Sequence, residues 1–220
     1  MRSPLIPVPE KGLYVSFEGM EGSGKTYYLN ELNKRHANKF YPITEFSNEG
    51  FGAKIIEVLS HESDEFFRHG YPVSEALFFF SMKLFEFDKS ILPLLRKGHM
   101  VIEDRSVDTN CLYAAILLQE KYSERFMYDY YEHLINIRKE LAVIPKRTIC
   151  FIPDFDKALE RAQRRDGRNY NESELSFLAK IYSGYEEISE KNKDRISVVY
   201  PDRYSTEEVV GQLESTLGFG

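Results

Sequence analysis

Short apolar, β-favouring runs at 13–17, 42–46, 100–103, 148–152 and 196–200 alternate along this chain with longer stretches of helical character at 27–37, 74–96, 109–122, 124–141, 155–165 and 172–189. Brief hydrophobic runs separated by helices predict parallel strands joined by crossover helices. The expected architecture is a doubly wound α/β fold, a five-stranded parallel sheet flanked by helices in three layers. Ligands should then lie beyond the carboxyl ends of the strands. In the stretch at 172–189, Leu175, Leu178, Tyr182 and Tyr185 fall on one stripe with the charges elsewhere, the pattern of a helix packed on a core. No repeat, low-complexity tract or long Gly/Ser/Pro linker interrupts the sequence, so a single domain over 1–220 is expected.

A chain of 220 residues is long enough to bury a sizeable core. Its aromatic residues, 14% of the total, are all Phe and Tyr, so that core should be rich in rings. The formal charge of −6 argues against a general nucleic-acid or anionic-membrane surface. It leaves room for a nucleotide site where basic residues are concentrated. Cys111 and Cys150 sit in apolar segments and read as buried thiols, not as a disulfide or metal pair. Residues 1–11 hold three prolines and no apolar stretch typical of a signal peptide, and no run approaches membrane-spanning length. The default expectation is a cytoplasmic protein.

One segment narrows the function. Gly19-Met20-Glu21-Gly22-Ser23-Gly24-Lys25-Thr26 is a complete G-x-x-x-x-G-K-[ST] phosphate loop, set between a strand-like run and a helical stretch. The glycines let backbone N–H groups turn inward around a triphosphate, Lys25 reaches the outer phosphates, and the Thr26 hydroxyl suits Mg²⁺. The helix that follows aims its positive end at the same phosphates. The phosphate-loop NTPase fold is therefore expected, with ATP and Mg²⁺ as its cofactors. The GTPase signatures D-x-x-G and [NT]-K-x-D are absent. Motor ATPases end a hydrophobic strand in Asp-Glu, whereas Ile102-Glu103-Asp104-Arg105 closes one here. An acid followed at once by arginine suits a kinase of small nucleotides, with Asp104 in the Mg²⁺ shell and Arg105 clamping a second anionic group. Arg161, Arg164, Arg165 and Arg168 form a candidate lid over about 161–171, whose closure would deliver an arginine and exclude water. Asp166-Gly167 should end their helix and leave Arg168 on a mobile loop.

Four segments extend this pattern. Phe17-Glu18-Gly19, continuing into the phosphate loop, is similar to the F-E-G-x-[DE]-G-x-G-K-[ST] opening of the thymidylate kinase family. Ser74-Glu75-Ala76-Leu77-Phe78-Phe79 resembles that family's T-E-A-L-L-F helix. Asp104-Arg105-Ser106-Val107-Asp108-Thr109-Asn110-Cys111-Leu112-Tyr113 follows its D-R-Y-V-D-S-S-x-A-Y, with Ser106 in place of the usual Tyr. Ala158-Leu159-Glu160-Arg161 matches the A-L-E-R helix before the arginine-bearing lid. The order and approximate spacing also agree, and the resemblance covers nearly the whole chain.

The resemblance implies ATP-dependent phosphorylation of a deoxynucleoside monophosphate, dTMP above all, by a homodimer. It implies catalytic roles for Lys25, Arg105, Arg164 and Arg165, and an ATP site completed by Arg161. Around the acceptor it implies Phe79 as base stacker, Tyr113 under the sugar, Asn110 at the pyrimidine edge and Glu21 at the 3′-hydroxyl. Departures from the pattern lie on the acceptor side. Thr44-Glu45-Phe46-Ser47-Asn48-Glu49 stands where the family has R-E-P-G-G-T, so only Glu45 is retained. Lys83 stands where it has an arginine, and is expected to help Arg105 hold the acceptor with less orientation than a planar fork. Ala114-Ala115 replaces the Gln-Gly after Tyr113, and the segment at 114–147 is longer than usual. Two other readings share the fold: a deoxynucleoside kinase using Glu45 as base, and a non-catalytic nucleotide-binding relative.

Overall fold

The computed structural model describes residues 11–44, 53–54, 57, 70–141 and 144–219. Five strands, β1 (Leu13–Glu18), β2 (Tyr41–Ile43), β3 (Met100–Asp104), β4 (Arg147–Phe151) and β5 (Ile196–Val199), form one sheet in the order β2-β3-β1-β4-β5. Every pairing is parallel, which brings all the carboxyl ends to one edge, as expected from the alternating pattern. The helices are α1 (Lys25–Arg35), α2 (Pro72–Glu86), α3 (Leu92–Arg96), α4 (Val107–Tyr122), α5 (Met127–Glu140), α6 (Phe155–Asp166), α7 (Glu172–Lys191) and α8 (Thr206–Leu217). None of the described helices is long and apolar enough to cross a membrane.

The stretch expected as one helix over 74–96 is broken into α2, a π-helical turn at Phe87–Ile91, and α3. Pro93 is the physical reason. It has no N–H to donate to the carbonyl four residues back, and the backbone widens just before it. Helix α8 was not among the expected elements. It opens on a capping box between Ser205 and Glu208 and buries Val209, Val210, Leu213 and Leu217. On α7 the expected stripe is real: Leu178 and Tyr185 are buried, and Leu175 and Tyr182 pack against the same core.

Alternation along the strands sorts side chains between two layers. Val15 and Phe17 of β1 join Ile102, Ile149 and Phe151 in packing on Leu29 and Leu32 of α1 and on Val209 and Leu213 of α8. Tyr14, Ser16 and Glu18 face the opposite layer, which is polar at its centre. The Tyr14 hydroxyl donates to Glu103, Ser16 and Thr148 share a hydrogen bond of 3.0 Å, and Glu18 accepts from the backbone and hydroxyl of both Ser106 and Thr109. Asp108 accepts two bonds of 2.7 Å from Arg195, one of 2.6 Å from Tyr131 and one of 2.9 Å from Thr148. These bonds satisfy groups that would be costly to bury alone and fix the start of α4 over β1 and β4. Burial, then the neighbouring Asp108 carboxylate, pushes Glu18 up to about 7, against the four donors that favour its ionised form. Cys111 and Cys150 are both buried, and burial pushes each thiol up to about 12, so neither is a ready nucleophile.

Candidate active site

The phosphate loop leaves β1 at Glu18 and enters α1 at Lys25, with Gly24 (φ 90°) as the left-handed residue before the helix. Glycine is required at Gly22 (φ 71°), where an added Cβ would lie 2.0 Å from the Ala158 carbonyl oxygen. The loop thus packs directly on α6. Inside it, the Lys25 ammonium donates to the carbonyls of Gly19 (2.8 Å) and Met20 (3.0 Å) and to Ser23 Oγ (3.1 Å). The loop lines a cleft of about 370 Å³ together with Tyr27, Asp104, Arg105, Arg161 and Arg165.

Glu103 and Asp104 are neighbours in β3 and therefore leave it on opposite faces. Asp104 turns towards α1, where Thr26 Oγ1 donates to its Oδ2 at 2.6 Å. Its Oδ1 is buried and has no hydrogen-bond partner among the described residues. A hydroxyl and a carboxylate are the hard oxygen donors that Mg²⁺ takes from protein when phosphates and water complete its shell. No group of three or more His, Cys, Asp or Glu among the described residues makes an all-protein metal cage. Thr26 and Asp104 fit Mg²⁺.

Arg105 follows with φ 60°, in the left-handed region, at a cost of roughly 1–2 kcal/mol for a non-glycine residue. This turn sends its side chain back over the phosphate loop. Arg105 Nη2 donates to Glu21 Oε1 at 2.7 Å, Arg105 Nη1 to the Tyr113 hydroxyl at 3.1 Å, and that hydroxyl to Glu21 at 3.0 Å. Burial by itself would raise the Glu21 carboxyl, but Arg105 and then Lys25 hold it below its usual range. It is an ionised acceptor at neutral pH.

The sequence-expected residues divide clearly. Lys25, Thr26, Glu21, Asp104, Arg105 and Tyr113 converge on the cleft, and Arg161 and Arg165 close its α6 side. Arg161 donates through Nε to the Gly22 carbonyl at 2.7 Å and is held in a two-bond pair with Asp202. Arg164 is turned outward, paired with Glu160 at 2.8 Å and lining a different hollow with Arg168 and Asn169. Of the two arginines expected here, Arg165 lines the cleft with Arg161, and Arg164 does not. Helix α6 does end at Gly167, as expected, yet Arg168 is not left loose: its guanidinium makes two bonds, 2.9 and 2.7 Å, to the buried Glu174.

On the acceptor side, Asn110 and Tyr113 lie three residues apart on α4 and so share a face. Asn110 Oδ1 is buried with no hydrogen-bond partner among the described residues. Phe79 is half-buried on α2, which packs on α4. Glu45 lies outside the described residues. Lys83 is turned inward. It is 3% exposed, and its ammonium is turned to Glu103 at 2.8 Å and to the carbonyl of Arg105 at 2.6 Å. Glu18, Glu174 and Asp202 support the site without having been expected to. Glu174 carried a readable signal, since Asn171-x-x-Glu174 forms a capping box, whereas Asp202 has no local signature.

The family model for thymidylate kinase matches residues 17–212. The thymidylate kinase of Wolbachia sp. subsp. Brugia malayi (strain TRS) is 30% identical over 192 residues, covering 85% of this chain and 86% of the relative. That of Rickettsia typhi is 25% identical over 211 residues, covering 94% and 98%. The crystal structure of thymidylate kinase from Ehrlichia chaffeensis superposes with a TM-score of 0.62 at 21% identity, over 94% of this chain and 98% of that one, a likeness of fold. With a match spanning the phosphate loop, β3, α4 and α6, the chain belongs to the thymidylate kinase family.

Proposed function

We propose that this chain transfers the γ-phosphoryl group of ATP to the phosphate of dTMP, giving dTDP. The observation that carries the reading is the cleft itself. The phosphate loop with Lys25 forms one wall, and Arg105 with Tyr113 places a second cationic site across Glu21 from it. A nucleoside monophosphate is anionic near neutral pH, because its second pKa is about 6, so it needs little help from a base. The obstacle is mutual repulsion of two phosphate groups. Lys25 neutralises the donor's outer phosphates, Arg105 holds the acceptor phosphate, and Arg165 adds charge from α6. Mg²⁺, held by Thr26 and Asp104, supplies further neutralisation of phosphate charge when bound. To take an acceptor, Arg105 exchanges its bond with Glu21 for one with phosphate, and Glu21 turns to the 3′-hydroxyl. Asn110 offers its amide to the pyrimidine edge, Phe79 stacks on the base, and Tyr113 packs under the sugar.

ADP release from ATP–Mg²⁺ with dTMP, dUMP or thymidine offered singly tests the reading. Turnover should be fastest with dTMP. Faster turnover with thymidine, or ADP release indifferent to any acceptor, would overturn it.

A homodimer is part of the same proposal. On α2, Leu77 is 61% exposed, Phe78 43% and Phe85 40%, an apolar stripe that water disfavours and a second copy would cover. Light scattering at micromolar concentration should give twice the chain mass, and Leu77→Glu should shift it towards the monomer. A wild-type monomer would remove this part of the proposal.

A further inference from the structure

The two acids that end β3 serve different masters. Asp104 faces Thr26 and the metal side, while Glu103, 1% exposed, faces α2 and receives the Lys83 ammonium. The same ammonium donates at 2.6 Å to the carbonyl of Arg105, the residue with left-handed backbone. The peptide groups on both sides of that turn are held as well. Arg105 N–H donates to the Phe17 carbonyl at 2.9 Å, and Ser106 N–H donates to Glu18 at 2.8 Å. The Tyr14 hydroxyl, donating to Glu103, fixes the counter-ion from β1. A left-handed turn at a side-chain-bearing residue persists only where its surroundings hold it. Here the backbone of the turn is held by β1 and by a lysine from α2, while Glu21 and Tyr113 hold the side chain.

We propose that Lys83 is a positioning residue: it holds the Arg105 carbonyl, with Glu103 as its fixed counter-ion, and so keeps the turn that delivers the Arg105 guanidinium to the acceptor phosphate. This rests on the kinase reading above for the identity of the acceptor. A compact ammonium with three donors fits between one carbonyl and one carboxylate oxygen, whereas a guanidinium carries its donors in a rigid planar fork. Lys83→Arg is therefore expected to weaken acceptor binding, the reverse of what the family pattern suggests for an arginine in direct contact with substrate.

A mutant cycle separates action through Arg105 from direct contact. Lys83→Met alone would strand a buried carboxylate, so the variant is Lys83→Met/Glu103→Gln, with Glu103→Gln as its control. The control keeps the Lys83 ammonium on the Arg105 carbonyl but weakens its counter-ion, so it should raise the dTMP KM by clearly less than the double variant does. The double variant should raise it about tenfold or more, with the ATP KM unchanged, because a small misplacement of a binding group is costly. In an Arg105→Ala background the same pair of changes should cause no further rise. Lys83→Gln/Glu103→Gln, which keeps a neutral donor, is the milder variant and should show a smaller rise that also vanishes with Arg105→Ala. A full additional rise in that background would mean Lys83 touches the acceptor itself and would overturn the proposal. A dTMP KM unchanged in a folded double variant would do the same. A crystal structure of the double variant provides a readout that needs no acceptor: Arg105 should leave the left-handed region, and retention of φ near 60° counts against Lys83 even if dTMP proves the wrong substrate.

Discussion

Lys25→Ala should reduce phosphoryl transfer by at least about a thousandfold, since it removes the fixed positive charge nearest the transferring group from a site where such charges act without solvent rearrangement. The fold should survive. In the structure the Lys25 ammonium serves two loop carbonyls and Ser23 Oγ, not an apolar core. Losing charged hydrogen bonds of this kind costs about 1–3 kcal/mol, or about 2–12 °C in melting temperature for a chain of this size. Steady-state ADP release and circular dichroism on the same sample check both halves. Near-normal turnover in a folded variant would mean that the phosphate loop is not the catalytic site.

The largest loss of stability is expected from Asp108→Ala, which has no direct part in the chemistry. Four donated bonds disappear at once, and the Arg195 guanidinium is left without its carboxylate. Breaking a buried ion pair from one side costs about 3–5 kcal/mol. With urea slopes of about 1–3 kcal/mol/M, the unfolding midpoint should fall by about 1–5 M. The pH dependence has a definite sign. Burial would raise Asp108, but Arg195, Tyr131 and Thr148 hold it below its ordinary value of 3.8. Its contribution is therefore fully present above that value and is lost as pH falls through the lower folded-state value. The part of the gap due to Asp108 itself should be lost only in stronger acid, and because Asp108 also helps hold Glu18 up at about 7, the gap should narrow somewhat as pH rises from 5 to 8. An unchanged urea midpoint at neutral pH would show that the Asp108–Arg195 pair contributes no net stability.

What could be read without coordinates was what the chain writes contiguously. The phosphate loop, the Asp104-Arg105 pair and the spacing from Arg105 to Tyr113 each lie within a single turn or two of backbone, and the structure brings them to one cleft. The alternation of strands and helices was legible for the same reason, down to the stripe on α7. Less was legible where a side chain's partner lies on another element. The Lys83–Glu103 bond was hidden because Glu103 lies twenty residues away on another element. The Arg168–Glu174 pair was not legible either, although only six residues separate the two, because it spans the end of α6 and the start of α7. Helical periodicity could not rank Arg164 against Arg165 until the direction of α6 over the loop was known. Pro93 was visible throughout, but its effect, a π-turn instead of a break, depends on how Phe87 and Ile91 are buried.

The opposite orientations of Glu103 and Asp104 have an evolutionary corollary. Because one strand end sends its two acids to opposite faces, substitutions at Glu103 and Lys83 are insulated from Thr26 and Asp104. Descendants of this chain can explore new acceptor geometries on the α2 face while the machinery that handles the triphosphate stays unaltered. An insertion or deletion of one residue in β3 would be a different matter: it would exchange the two acids between faces and break both the Thr26–Asp104 and the Lys83–Glu103 bonds in a single step. Variation around this site should therefore accumulate as paired substitutions and never as length changes in the strand.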